Sequence, residues 1–102
     1  METKDNMVIS FVFETYDEGI QIQKILFEIR RMKGYVTYND LALLIYGEEL
    51  ISRSSKLGWT DLSEIKLEPG DNSLEYWILT MPEPKDLTTV IKMIKIMKKE
   101  NK

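Results

Sequence analysis

The chain contains no cysteine and no histidine. Without thiols there is neither a disulfide framework nor a thiolate nucleophile, and the composition fits a reducing compartment. Without imidazole the commonest general base and the commonest transition-metal ligand are missing. Glycine is scarce, at five residues in 102, and Gly34, Gly47, Gly58 and Gly70 each stand alone beside a turn. No glycine-rich phosphate loop and no Gly-x-Ser-x-Gly nucleophile elbow can therefore be drawn. Acidic side chains such as Glu48, Glu49 and Asp71 do not fall at the spacing of a calcium loop. The apolar runs are short and interrupted, well under the ~20 residues that span a bilayer. The opening METKDNMVIS lacks the charged-then-apolar layout of a secretory signal, and neither end carries a lipidation motif. These absences set the first expectations: no catalytic, cofactor-binding or metal-binding residues, hence no enzyme, no membrane span, and a cytoplasmic location.

What is present is the composition of a single globular domain, 43% hydrophobic and 30% charged. At this length it can bury one modest core. The net charge of −3 is unevenly placed. Residues 85–102 hold six lysines against Asp86 and Glu100, a balance of +4, whereas the eight basic and fifteen acidic groups of 1–84 leave −7. An acidic body with a basic tail argues against nucleic-acid binding by the whole domain, though the tail can act alone.

Residues 7–14, MVISFVFE, read as a strand, with Met7, Ile9, Phe11 and Phe13 on an apolar face and Val8, Ser10, Val12 and Glu14 on a mixed one. Thr15 to Glu18 is a capping-box pattern, and Ile22, Ile25, Leu26, Ile29 and Met32 mark the core stripe of a helix ending at Gly34. Tyr35-Val36 is a short extended link. Thr37 to Asp40 repeats the capping logic for a helix that buries Leu41, Leu44 and Ile45 and stops at Gly47. Residues 48–57 show no period and are either one more turn around Leu50-Ile51 or a loop. Trp59 is expected to close the open end of the core. Residues 62–68 and 74–81 read as a hairpin around Glu68–Ser73, with the second strand central because both its faces are apolar, and the first strand of the chain pairing on its free side. Beyond Pro82 and Pro84, an amphipathic helix at 86–99 carries Leu87, Val90, Ile91, Ile94 and Met97 on one side and lysine on the other. The expected architecture is α+β: a three-stranded antiparallel sheet packed by helices, order β-α-α-β-β-α. Residues 1–84 form the domain, and 85–102 a basic helix packed on it or on a partner.

The words GYVTYNDL at 34–41 and GWTDL at 58–62 resemble a pattern in small proteins of phages and conjugative elements. There a strand and helix come first, Gly-Tyr-Val-Thr opens a second helix, and Gly-Trp-Thr-Asp-Leu leads into a hairpin that ends near a proline. Pro82 holds that last place here. The resemblance spans about residues 7–84, leaves the lysine helix outside, and finds no counterpart for 48–57. It implies a mobile-element origin and no particular activity.

Two functional expectations follow. The first is an accessory protein that binds another protein or itself, through Tyr35, Tyr38, Tyr46 and Trp59, because aromatic residues are enriched at interfaces; the same residues at element boundaries can equally be core. The second is a winged-helix-like DNA-binding regulator, with Thr37–Tyr46 as the first helix, Glu49–Leu57 as the reading helix carrying Arg53 and Lys56, and Lys66 on the wing. The C-terminal helix has three readings: a helix packed in cis, a partner-binding helix, or a membrane-surface helix, the last weakened by the lack of Trp or Phe on its apolar side.

Overall fold

The computed structural model of the protein describes residues 9–72 and 75–100. The expectations for Met7, Val8, Ser73 and Leu74 lie outside the described residues. The chain runs through β1 (Ser10–Phe13), α1 (Tyr16–Lys33), β2 (Val36–Thr37), α2 (Tyr38–Tyr46), β3 (Leu57–Trp59), β4 (Lys66–Pro69), β5 (Trp77–Thr80), β6 (Lys85–Asp86) and α3 (Thr88–Glu100). A tight turn at Gly70–Asn72, with Asp71 at a left-handed φ of 47°, leads from β4 toward β5.

The first sheet has the order β1-β5-β4, antiparallel throughout, with β5 central as its two apolar faces imply. Register aligns Phe11, Leu79 and Leu67 in one row across it. Phe11 and Leu79 are buried on this face, where α1 packs. On the other face Ser10, Val12, Lys66 and Glu68 are exposed, giving the in-out alternation of a sheet with one wet side.

Helix α1 begins where the sequence places it. The Thr15 hydroxyl accepts from Glu18 N at 3.1 Å, and the Glu18 carboxylate reaches back to Glu14 N. The last turn holds Arg30, Arg31 and Lys33, favourable at the negative end of the dipole, and Gly34 closes it at φ 91°. The buried stripe is Gly19 and Leu26, with Ile22 and Ile29 half-buried. Ile25 and Met32 were expected in that stripe and are instead exposed, Met32 by 65%. The buried line instead runs Gly19, Ile22, Leu26 and Ile29, and the missing Cβ of Gly19 leaves room for Leu67 to pack against it. Helix α2 has the full capping box, Thr37 Oγ1 accepting from Asp40 N and Asp40 Oδ2 from Thr37 N, both at 3.0 Å.

A second three-stranded antiparallel sheet, order β2-β3-β6, was not anticipated. Val36 of the expected Tyr35-Val36 link enters it with Thr37 as β2, and Lys85-Asp86, past the two prolines, enter it as β6. Val36 pairs with Trp59 and Thr37 with Gly58; Leu57 and Gly58 pair with Asp86 and Lys85. The two sequence words at 34–41 and 58–62 are thus partners across one ladder. Gly58 is required there. A Cβ on it would meet the Val36 carbonyl oxygen, Thr37 Cα at 2.7 Å and Leu87 Cδ1 at 2.9 Å.

Trp59 is 4% exposed and belongs to the core cluster with Phe11, Leu26, Val36, Tyr38, Leu41, Leu62 and Met81. Its indole N–H donates to the Pro82 carbonyl at 2.6 Å, so the ring fills the core while its one polar atom ties β3 to the segment leaving β5.

Candidate functional site

The four aromatic residues expected to form one contact surface are divided between interior and exterior. Tyr38 and Trp59 are each 4% exposed, with ring centroids 6.3 Å apart. They are core: Tyr38 opens α2 and Trp59 ends β3, and both side chains join the same buried cluster. Tyr46 is half exposed beside Phe11. Tyr35 is half-buried, with the Lys33 ammonium 4.8 Å from its ring centroid. The shared interface is therefore withdrawn for Tyr38 and Trp59.

The segment expected as a reading helix is a loop. Residues 48–56 hold bends and a turn and no helix. Asn39, buried in α2, explains why: its Oδ1 accepts from Leu50 N and Ile51 N, and its Nδ2 donates to Ile51 O, all within 3.2 Å. These bonds satisfy backbone groups that a helix would otherwise use. Arg53 lies on this loop, held by Glu49 at 2.9 Å, a bond that raises its pKa above the ordinary arginine value. Lys66 projects from the wet face of the first sheet and does not join Arg53 and Lys56. The winged-helix arrangement lacks its reading helix.

Two further features among the described residues can bind something. The first is α3. Leu87 N donates to Lys56 O at 2.8 Å, and Leu87 and Ile91 are buried, so the helix is seated in cis through its first turns. Ile94 continues that face against Gly34. Asp86 accepts from the Thr88 hydroxyl and then its N–H, which hold the Asp86 carboxyl below its usual pKa and fix the start of the helix. A separate apolar face is open: Met93, Ile96 and Met97 are 56%, 55% and 58% exposed. Their i, i+3, i+4 spacing puts them side by side. Met97 was expected in the inner stripe; it falls beyond the end of the body's cover. Lys92, Lys95 and Lys99 lie together on another side of the helix.

The second feature is a cleft of about 230 Å³ where the end of α1, β2, the 48–56 loop and α3 meet. Lys33, Tyr35, Arg53, Ser55, Lys56 and Lys95 line it, with Asp40 and Glu49. Sequence reasoning paired Arg53 with Lys56 but had no means of adding Lys33 and Lys95, which arrive from other elements. Among the described residues no group of three acidic side chains converges as a metal site, and no helix is long and apolar enough to cross a membrane.

No protein family, characterised protein or solved structure matches this chain.

Proposed function

We propose that this is a small non-enzymatic accessory protein that works by binding another protein chain, or a second copy of itself, through the open face of α3. The observation that carries the reading is the triplet Met93, Ile96 and Met97, each more than half exposed on a helix whose other apolar face is already seated. Large apolar side chains in a contiguous row favour a partner. Methionine suits such a surface because its unbranched, polarizable side chain adapts to what it meets.

The magnitude limits the kind of complex. Covering three such side chains gains roughly 1.5–3 kcal/mol each. Association costs several kcal/mol before any of that gain is seen. The triplet alone therefore supports a weak contact, and a stable one must also use the lysines beside it. The complementary surface is apolar at its centre and acidic at its rim. The words at 34–41 and 58–62 support, on their resemblance alone, a mobile-element source for the protein.

The test is site-specific photocrosslinking in cells that make the full chain. A photoreactive side chain at position 97 is expected to give a discrete protein adduct, either a dimer of this chain or a heterologous complex. Met93→Lys with Ile96→Lys is expected to abolish it. Adducts that form equally from position 20 on α1, or that survive both substitutions, refute the assignment.

A further inference from the structure

The structure assigns the cleft between the 48–56 loop and α3 as a binding site for a phosphoryl group. This inference concerns the side of α3 that carries Lys95, next to the Met93, Ile96 and Met97 face, and its test does not depend on the protein contact.

The argument begins with charge. Four cations line the cleft. Two are already used: Lys33 Nζ bonds Asp40 at 2.8 Å, and Arg53 Nε bonds Glu49 at 2.9 Å. Lys56 and Lys95 have no carboxylate partner among the described residues. The cleft therefore keeps two uncompensated positive charges. Each is a compact ammonium, which binds phosphate as a point charge and needs no fixed plane.

Geometry adds neutral donors. Tyr35 and Ser55 line the same space, and neither hydroxyl makes a hydrogen bond among the described residues. Tyr35 is half-buried, and the Lys33 ammonium lies 4.8 Å from its ring centroid. Ser55 is fixed by its own N–H, which donates to Ser52 O at 2.9 Å. Two lysines and two hydroxyl-bearing residues thus border one space from different elements. A tetrahedral dianion can accept from all of them. A planar carboxylate prefers a guanidinium fork, and the one guanidinium here already gives its Nε–H to Glu49.

Size narrows the ligand. About 230 Å³ is below the range of pockets that enclose a drug-sized molecule. It holds a phosphate or diphosphate. The ligand is either a free phosphoryl compound or one phosphate of a nucleic-acid strand, since Lys92 and Lys99 sit one turn to either side of Lys95 on the same side of α3.

The experiment is a titration of the ¹⁵N-labelled full chain with sodium pyrophosphate, and separately with a short single-stranded oligothymidylate, followed by amide shifts. Shifts centred on Tyr35, Ser55, Lys56 and Lys95 are expected. Lys56→Gln with Lys95→Gln should weaken pyrophosphate binding by about tenfold or more, as the loss of two partly screened charges implies. Both side chains are exposed, so the variant should keep the parent spectrum elsewhere. Lys66→Gln, on the other sheet, should bind as the parent does. Oligothymidylate binding that weakens steeply with salt identifies the strand as the source, and pyrophosphate binding alone identifies the free compound. No shift at these residues at millimolar pyrophosphate, or equal affinity in the double variant, overturns the site.

Discussion

Gly58→Ala places one methyl group where β2 and β3 are closest. Its carbon would sit 2.7 Å from Thr37 Cα and closer still to the Val36 carbonyl oxygen, against an ordinary contact of 3.4–4 Å. Both obstacles are backbone atoms, so no rotamer change relieves them, and β2 must retreat by most of an ångström. β2 is only two residues long and pairs at Val36–Trp59 and Thr37–Gly58. Overpacking of this kind costs about 1–3 kcal/mol. Weakening one or two ladder hydrogen bonds adds about 1 kcal/mol each. A loss of about 2–5 kcal/mol follows, a large part of the ~5–15 kcal/mol that a domain of this size has in total. At roughly 4–8 °C per kcal/mol, the midpoint of thermal unfolding should fall by about 10 °C or more. The assay is urea and thermal unfolding followed by tryptophan fluorescence, with Gly47→Ala as control. At Gly47 a methyl would meet nothing within 4 Å, and only the left-handed φ of 80° opposes it, at a cost of roughly 1–2 kcal/mol. A Gly58→Ala loss under about 0.5 kcal/mol, or one smaller than that of Gly47→Ala, refutes the second sheet as the junction of the fold.

Three further outcomes are expected. Trp59→Phe keeps most of the apolar volume but removes the donor to the Pro82 carbonyl, and should lower stability by about 1–2 kcal/mol in the same unfolding assay. Asn39→Ala removes three hydrogen bonds to Leu50 and Ile51; about 2 kcal/mol should be lost, and hydrogen exchange at those two amides should accelerate before that of the core. Asp61 and Asp86 have pKa values lowered by hydrogen bonds, from the Ser63 N–H to Asp61 and from the Thr88 hydroxyl and N–H to Asp86. A carboxyl lowered in the folded state contributes stability above its unfolded value, roughly pH 4, and loses it as pH falls through the folded value. Acid should therefore weaken the protein below about pH 4, and Asp86→Asn with Asp61→Asn should flatten that limb of a stability-against-pH curve.

The parts of the fold legible in the sequence were those written in local chemistry. The Thr15 and Thr37 caps, the Gly34 and Gly47 stops, and the apolar alternation that makes β5 central each depend on residues within a few positions of one another. The second sheet was not legible because strands of two and three residues carry no measurable period, and their pairing joins segments more than twenty residues apart. Gly19 was passed over because a search for apolar side chains cannot see a residue that packs by having none. Asn39 was hidden in the same way, a polar residue in an amphipathic helix whose bonds reach forward to a loop. Of the candidate sites, Arg53 and Lys56 do share a cleft, but Lys66 does not, and half of the aromatic group is core. The 93, 96 and 97 spacing was present in the sequence; what it lacked was the extent of the body under α3, which only the packing reveals.

The central claim is that α3 is seated on its own domain by one apolar face while it offers another. Solvent relaxation enhancement of methyl-labelled protein, using a soluble paramagnetic probe on dilute full chain, reads both faces at once. The account predicts shielded methyls at Ile91 and Ile94 and strongly broadened ones at Met93, Ile96 and Met97. Equal broadening of all five would mean a detached helix, and shielding of all five a covered one; either contradicts the account.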